Sequence, residues 1–193
     1  MSRTQGFTLI ELMVTIAIAA ILMGIAIPAF RDMLNSSKLT TQTNQLITAL
    51  HLARSEAIKR GVRVTVCKST NPGDAAPTCS TSANWQDGLI VFVDNTQIST
   101  NVLGVIDGVA LDPVDEVVRV FGPFPGSTLT ASTNFSRAVS YLPSSLSKGV
   151  DSSGSPSGSD GNFRFSLGGQ ERLVCISTTG RIYSTARLPL SCY

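Results

Sequence analysis

From Phe7 to Phe30 the chain reads FTLIELMVTIAIAAILMGIAIPAF, and no charged side chain interrupts it between Leu12 and Phe30. That run of about 19 residues approaches the roughly 20 a helix needs to cross a bilayer, and Arg31 closes it. Apolar positions then continue at helical spacing. Leu46, Leu50, Ala53 and Ala57 form one stripe flanked by Ile47 and Ile58, while Gln42, Asn44, Gln45, Arg54 and Lys59 take other faces. Gly61, just after Lys59-Arg60, has the position of a C-cap. The pattern predicts one helix from about Phe7 to Arg60, roughly 80 Å long at 1.5 Å per residue. Its first half is apolar all round and its second half amphipathic, so the second half must pack on something.

After Gly61 the period changes to two: Val62, Val64 and Val66 alternate with Arg63, Thr65 and Cys67. Further strands are predicted at 89–94, 117–121, 138–142, 162–167, 172–177 and 181–183. The breaks are rich in Gly, Pro, Asn, Asp and Ser, with Asp87-Gly88, Asp107-Gly108 and Asp160-Gly161 as turn signals. The Ser- and Gly-rich stretch 144–160 predicts a mobile loop. No internal repeat is evident. The class is α+β, a long N-terminal helix carrying an antiparallel β-domain.

Composition sharpens this picture. The 193 residues carry 15 Lys and Arg against 13 Asp and Glu, a formal charge of only +2, which excludes a strongly basic nucleic-acid protein and a highly charged disordered chain. Charged residues are 15% of the chain, below the roughly 25% of ordinary soluble domains. One long apolar stretch excludes a polytopic membrane protein, and a single His excludes any site built on two imidazoles.

Glu11 is the anomaly in the apolar run. A secretory signal has a positive end, an apolar core and a small-residue cleavage site, for which the IPA before Phe30 would serve, but it has no use for an acid. A plain membrane anchor meets the same difficulty, since a central intramembrane acid costs on the order of 3 kcal/mol. A cut between Gly6 and Phe7 gives the acid a purpose. The new α-amine of Phe7 lies one helical turn from Glu11. In a helical stack of subunits, Glu11 of one chain neutralises the amine of its neighbour, and a paired charge is tolerable in a membrane where a lone one is not.

Gly6-Phe7-Thr8-Leu9-Ile10-Glu11 followed by an apolar helix resembles the class III signal of type IV pilins and type II secretion pseudopilins. The resemblance implies a prepilin peptidase that cuts Gly6–Phe7 and N-methylates Phe7, with Glu11 as the assembly carboxylate and Pro28 where the family's helix bends. It divides the chain into a leader at 1–6, a transmembrane segment at 7–30, an amphipathic helix at 31–61 and a periplasmic β-rich domain at 62–193. Arg3 before the span keeps the short end cytoplasmic. Arg31 nearly balances it, so the length of the remainder and its cysteines decide that the remainder crosses. The protein is then expected in the inner membrane first and in a pilus fibre after assembly.

Downstream, Ala53-Arg54-Ser55-Glu56-Ala57 precedes a strand bearing Cys67; then come Trp85, Gly88-Leu89-Ile90-Val91-Phe92, Gly180-Arg181 and a late Cys192. Together these resemble the GspH/FimT-type minor pilins and minor pseudopilins. The function so implied is structural. The chain would be a minor pilin of a type IV pilus that helps to initiate or cap the fibre, with other minor pilins and the major pilin as partners. The equivalent minor pseudopilin of a type II secretion system is the alternative.

Four Cys in an exported domain suggest two disulfides, with three pairings open. We favour Cys67–Cys79, closing a short loop, with Cys175–Cys192, pinning the C-terminus to a strand. A metal site or a redox-active pair would need a CxxC, which is absent. No catalytic residue, cofactor or metal is expected. His51 reads as a helix-surface side chain without a GxSxG partner. Asp112, Asp115 and Glu116 read as a solvated loop without EF-hand spacing. Trp85 reads as a core residue.

Charge is uneven: residues 64–160 hold 4 basic and 9 acidic side chains, whereas from Gly161 onward Arg164, Arg172, Arg181 and Arg187 face only Glu171. Some members of the resembled branch bind DNA through a C-terminal Gly-Arg-x-Arg segment. Here Gly180-Arg181-Ile182-Tyr183 lacks the second Arg, which leaves Arg181 and Arg187 as candidate DNA contacts for a transformation pilin and solvated strand faces as the competing reading.

Overall fold

The computed structural model describes residues 6–95, 104, 106, 115–185 and 192. The chain divides into two compact units, Met1–Lys38 and Leu39–Tyr193. Helix α1 (Leu9–Arg60) supplies the whole of the first unit's regular structure and the first element of the second.

In the first unit the helix is apolar and uncovered. Phe7 is 84% exposed, Ile25 70% and Ile21 67%, and this is the one helix long and apolar enough to cross a membrane among the described residues. Such a surface is stable in hydrocarbon or against other apolar helices, not in water. Pro28 lies inside the helix. It removes the bond its N–H would make to the carbonyl of Gly24, one turn earlier.

In the second unit the same helix becomes one-sided. Leu39, Gln42, Thr43, Leu46, Ala49, Leu50, Ala53 and Ala57 are buried, a stripe at spacings of three and four. Ala49, Ala53 and Ala57 keep its approach to the sheet close. Ile47 packs at the edge of this stripe, whereas Ile58 is 53% exposed. Gly61 ends the helix with φ +68° and its N–H on the Ala57 carbonyl at 3.0 Å, the left-handed cap that only glycine takes without strain.

Two antiparallel sheets receive the stripe. The first has the order β3-β2-β1-β5-β6, from β1 (Val64–Lys68), β2 (Leu89–Val93), β3 (Val117–Phe121), β5 (Ala138–Tyr141) and β6 (Ser147–Val150). The second has the order β4-β7-β8-β9, from β4 (Thr128–Ala131), β7 (Gly161–Leu167), β8 (Gln170–Ile176) and β9 (Ile182–Thr185). Alternation sorts each strand between faces. Val64, Val66, Leu89, Val91, Val139 and Tyr141 join the helix stripe with Phe163, Phe165, Val174 and Ile176 of the second sheet. On the other face of the first sheet Cys67, Ile90, Phe92, Ala138 and Val150 form a smaller cluster.

Three expectations need correction. The helix begins at Leu9 rather than Phe7, because Thr8 is its cap. Strand β4 carried no alternation long enough to be read. Within 144–160, expected as a mobile loop, residues 147–150 form β6, an edge strand paired with β5 in the register Ala138↔Val150. This SKGV segment has little apolar content of its own. It is held by the ladder and by the buried Ser147 hydroxyl, which lies within hydrogen-bond distance of the Ser159 and Ser177 carbonyls, 2.5 and 2.8 Å away. Asp107-Gly108 lies outside the described residues.

Candidate functional site

At the start of α1 the chain builds a reciprocal cap. The Glu11 N–H donates to Thr8 Oγ1 at 3.3 Å, while Glu11 Oε2 accepts from the Thr8 N–H and from Thr8 Oγ1, both at 2.9 Å. This is the capping box, whose sequence form is Ser or Thr followed three places on by Glu or Gln. Thr8-Leu9-Ile10-Glu11 displays that signal, and the reading of Glu11 as an unmatched acid overlooked it. Glu11 Oε1 has no partner among the described residues. Phe7, Ile10, Glu11, Val14 and Thr15 line an open recess of about 320 Å³. Carboxylate, apolar recess and the exposed Gly6-Phe7 bond therefore sit within the first turn and a half, with nothing within 4 Å of where a Gly6 side chain would stand.

The other singled-out residues are scattered. His51 is exposed on the helix. Trp85 is 4% exposed; its indole N–H donates to the Phe135 carbonyl at 3.1 Å, and its ring meets Phe163 edge-on at 4.8 Å. The acidic trio is split. Asp115 is buried, accepting from the Asn95 N–H at 2.9 Å, so it is not the solvated loop residue expected. Glu116 takes a bidentate contact from Arg60, and Asp112 lies outside the described residues. Cys67 is bonded to Cys79 and Cys175 to Cys192, each with Cα atoms 5.6 Å apart. Among the described residues no group of three or more His, Cys, Asp or Glu is placed to hold a metal.

Of the arginines weighed for DNA, Arg164 pairs with Glu171 at 3.2 Å. The Arg181 guanidinium stands 5.9 Å from the Tyr183 ring centroid. Tyr183, at the position of the missing second Arg, donates its hydroxyl to the Cys192 carbonyl and so serves the C-terminal tether. Arg187 lies outside the described residues.

The end of the helix is clamped to the sheet by Arg60, which reaches Glu56 Oε2 at 2.6 Å and Glu116 Oε2 at 2.6 Å. Hydrogen bonds from Arg60 hold both carboxyls below the ordinary glutamate range. Because the folded values are depressed, the clamp's contribution is complete above the range where unfolded glutamates titrate. It is lost as pH falls through the folded values. Arg60→Met is thus expected to lower the urea midpoint near pH 7 modestly, as partly exposed pairs do. The gap to wild type should close below about pH 4, which urea titrations at both pH values would measure.

The family described as "Type II transport protein GspH" matches residues 42–180, and the "Prokaryotic N-terminal methylation motif" matches residues 1–27. The chain belongs to the GspH family. Its curated relatives include the type IV major alpha-pilin of Moraxella bovis, 35% identical over 109 residues, which are 55% of this chain and 68% of that protein. Prepilin peptidase-dependent protein D of Escherichia coli K12 is 38% identical over 81 residues, covering 40% of this chain and 53% of the relative. Among solved structures, the Pseudomonas aeruginosa type IV minor pilin FimU shares the fold, with a TM-score of 0.50 at 17% identity over 80% of this chain and all of that one. This GspH-family chain is a pilin-like structural subunit, with a helix of membrane-spanning length packed through its second half on antiparallel sheets.

Proposed function

We propose that the chain is a minor pilin of a type IV pilus, a subunit that helps to initiate or cap the fibre. The observation that carries the reading is the first turn of α1, where a capped carboxylate with one free oxygen and an apolar recess adjoin an exposed Gly6-Phe7 bond. A prepilin peptidase cuts that bond and methylates Phe7. The amine so created enters the recess of a neighbouring subunit and meets Glu11 there. Before assembly the apolar helix holds the chain in the inner membrane, with the β-domain on the periplasmic side. Other minor pilins and the major pilin are its partners, and Pro28 is where the helix loosens to fit among theirs. The type IV major alpha-pilin among the relatives is what supports the pilus reading.

The family description favours a second reading, a minor pseudopilin of type II secretion. Deleting the gene distinguishes the two. Loss of surface fibres with secretion intact, together with recovery of the tagged chain in sheared fibres beginning at N-methylated Phe7, is the expected result. Normal piliation with lost export of folded enzymes would replace the pilus with the secretion apparatus.

A further inference from the structure

Lys68 ends β1 and Arg137 precedes β5. The β1–β5 register ends at Cys67↔Ala138, so Lys68 and Arg137 are the next residues beyond it on the two segments, near enough for the Arg137 charge to act on Lys68. Like charges facing across a strand pair repel. Neither side chain makes an ion pair or hydrogen bond among the described residues. The acid whose charge acts on Lys68 is Asp87, and its Oδ2 is already committed to the Asn84 backbone N–H at 2.7 Å and side-chain amide at 3.4 Å. Burial holds the Lys68 ammonium below the ordinary lysine range and the Arg137 charge lowers it further, with Asp87 working against both. The pair has no ion-pair partner among the described residues, and Asp87 is the one acid whose charge favours the Lys68 ammonium.

Lys68 borders an open recess of about 230 Å³. Lys68 lines it with Asn84, Trp85, Thr130 and Ser136, and Arg137 is next in the chain after Ser136. The hydroxyls of Thr130 and Ser136 have no hydrogen-bond partner among the described residues. One ammonium and two hydroxyls without a partner, beside an indole and with a guanidinium next in the chain, offer the donors that an oxyanion takes.

We propose that this recess is a carboxylate-binding site, which receives an acidic side chain of a neighbouring subunit. The neighbour rests on the pilin reading above. The surroundings favour a single carboxylate over a polyanion: with 4 basic and 9 acidic side chains in residues 64–160, there is no row of cations for successive phosphates to follow. Lys68 supplies a point charge in the recess, and Arg137, next in the chain after the lining Ser136, supplies a second cation beside it.

Trp85 is the lone tryptophan and walls the recess, so its fluorescence reports occupancy directly. The full chain in non-ionic detergent is titrated with tetraglutamate, with tetraglutamine as control. A saturable change with the acidic peptide alone is expected, weakened by added salt. Lys68→Gln and Arg137→Gln should each weaken it roughly tenfold, the scale of one lost charge-assisted bond, while Lys68→Arg retains it. If either glutamine variant unfolds, the salt dependence and Lys68→Arg still test the site. The peptide should also raise the thermal midpoint of the wild-type chain. No fluorescence change, or equal affinity in the glutamine variants, overturns the site. Tighter binding of inorganic phosphate or of a duplex DNA oligonucleotide than of the peptide overturns the carboxylate assignment. A chain that binds tetraglutamate yet never enters fibres removes the pilin reading and leaves the recess standing.

Discussion

Glu11→Ala is expected to leave cleavage after Gly6 intact and to remove the protein from sheared fibres. In the proposed function the peptidase reads the bond between Gly6 and Phe7, which lies before the first helical residue, Leu9. Assembly would make a different demand: the amine created at Phe7 would enter an apolar recess and have to find a negative charge there. Leaving that amine buried and unpaired is expected to lower incorporation by roughly a hundredfold, measured by immunoblot of sheared fibres against membranes. The capping box gives the experiment a second arm. Glu11→Gln keeps an oxygen to accept from the Thr8 N–H but carries no charge. If charge governs assembly, Gln behaves like Ala; if the cap governs it, Gln behaves like the wild type and the register role of Glu11 fails.

Phe163→Ala is expected to destabilise the β-domain by about 3–5 kcal/mol. Phe163 is fully buried, edge-on to Trp85 at 4.8 Å and stacked on Phe135 at 5.7 Å. It therefore joins the second sheet to the 3-10 turns at residues 85–87 and 133–135. Phe163 is laddered to Ala131 on one side and Val174 on the other, so the backbone resists collapse into the space its ring would leave. Phe163→Leu, closer in volume, should lose under about 1.5 kcal/mol. Urea unfolding followed through Trp85 measures both. A loss below about 1 kcal/mol for the alanine variant would show that the sheet relaxes around the site instead of holding its packing.

Much of the proposed processing site was visible in the chain because it is local. Thr8 and Glu11 bond within a single turn, Phe7 and Glu11 line one recess, and the six residues from Gly6 to Glu11 display the resemblance, the charge anomaly and the cap. The cap went unread because the i, i+4 relation between Phe7 and Glu11 drew attention from the i, i+3 relation between Thr8 and Glu11. The recess at Lys68 was not visible at all. Sixty-nine positions separate Lys68 from Arg137, and nothing in either segment announces that β1 and β5 will lie side by side.

The sequence by itself determined the long helix, the Gly61 stop, most strand positions and the existence of a change from all-round to one-sided apolarity, expected from residue 31 and found from Leu39. Each of these is a contest between neighbours within a turn or a pleat, settled by periodicity and capping. The tertiary structure alone decided that the strands divide into two sheets, that SKGV at 147–150 becomes an edge strand, that Asp115 is buried, and that the Arg137 charge comes near enough to act on Lys68. Those outcomes depend on which distant segments share a ladder. The partner that burial of the whole apolar stripe selects can override the weak preference of any short polar segment.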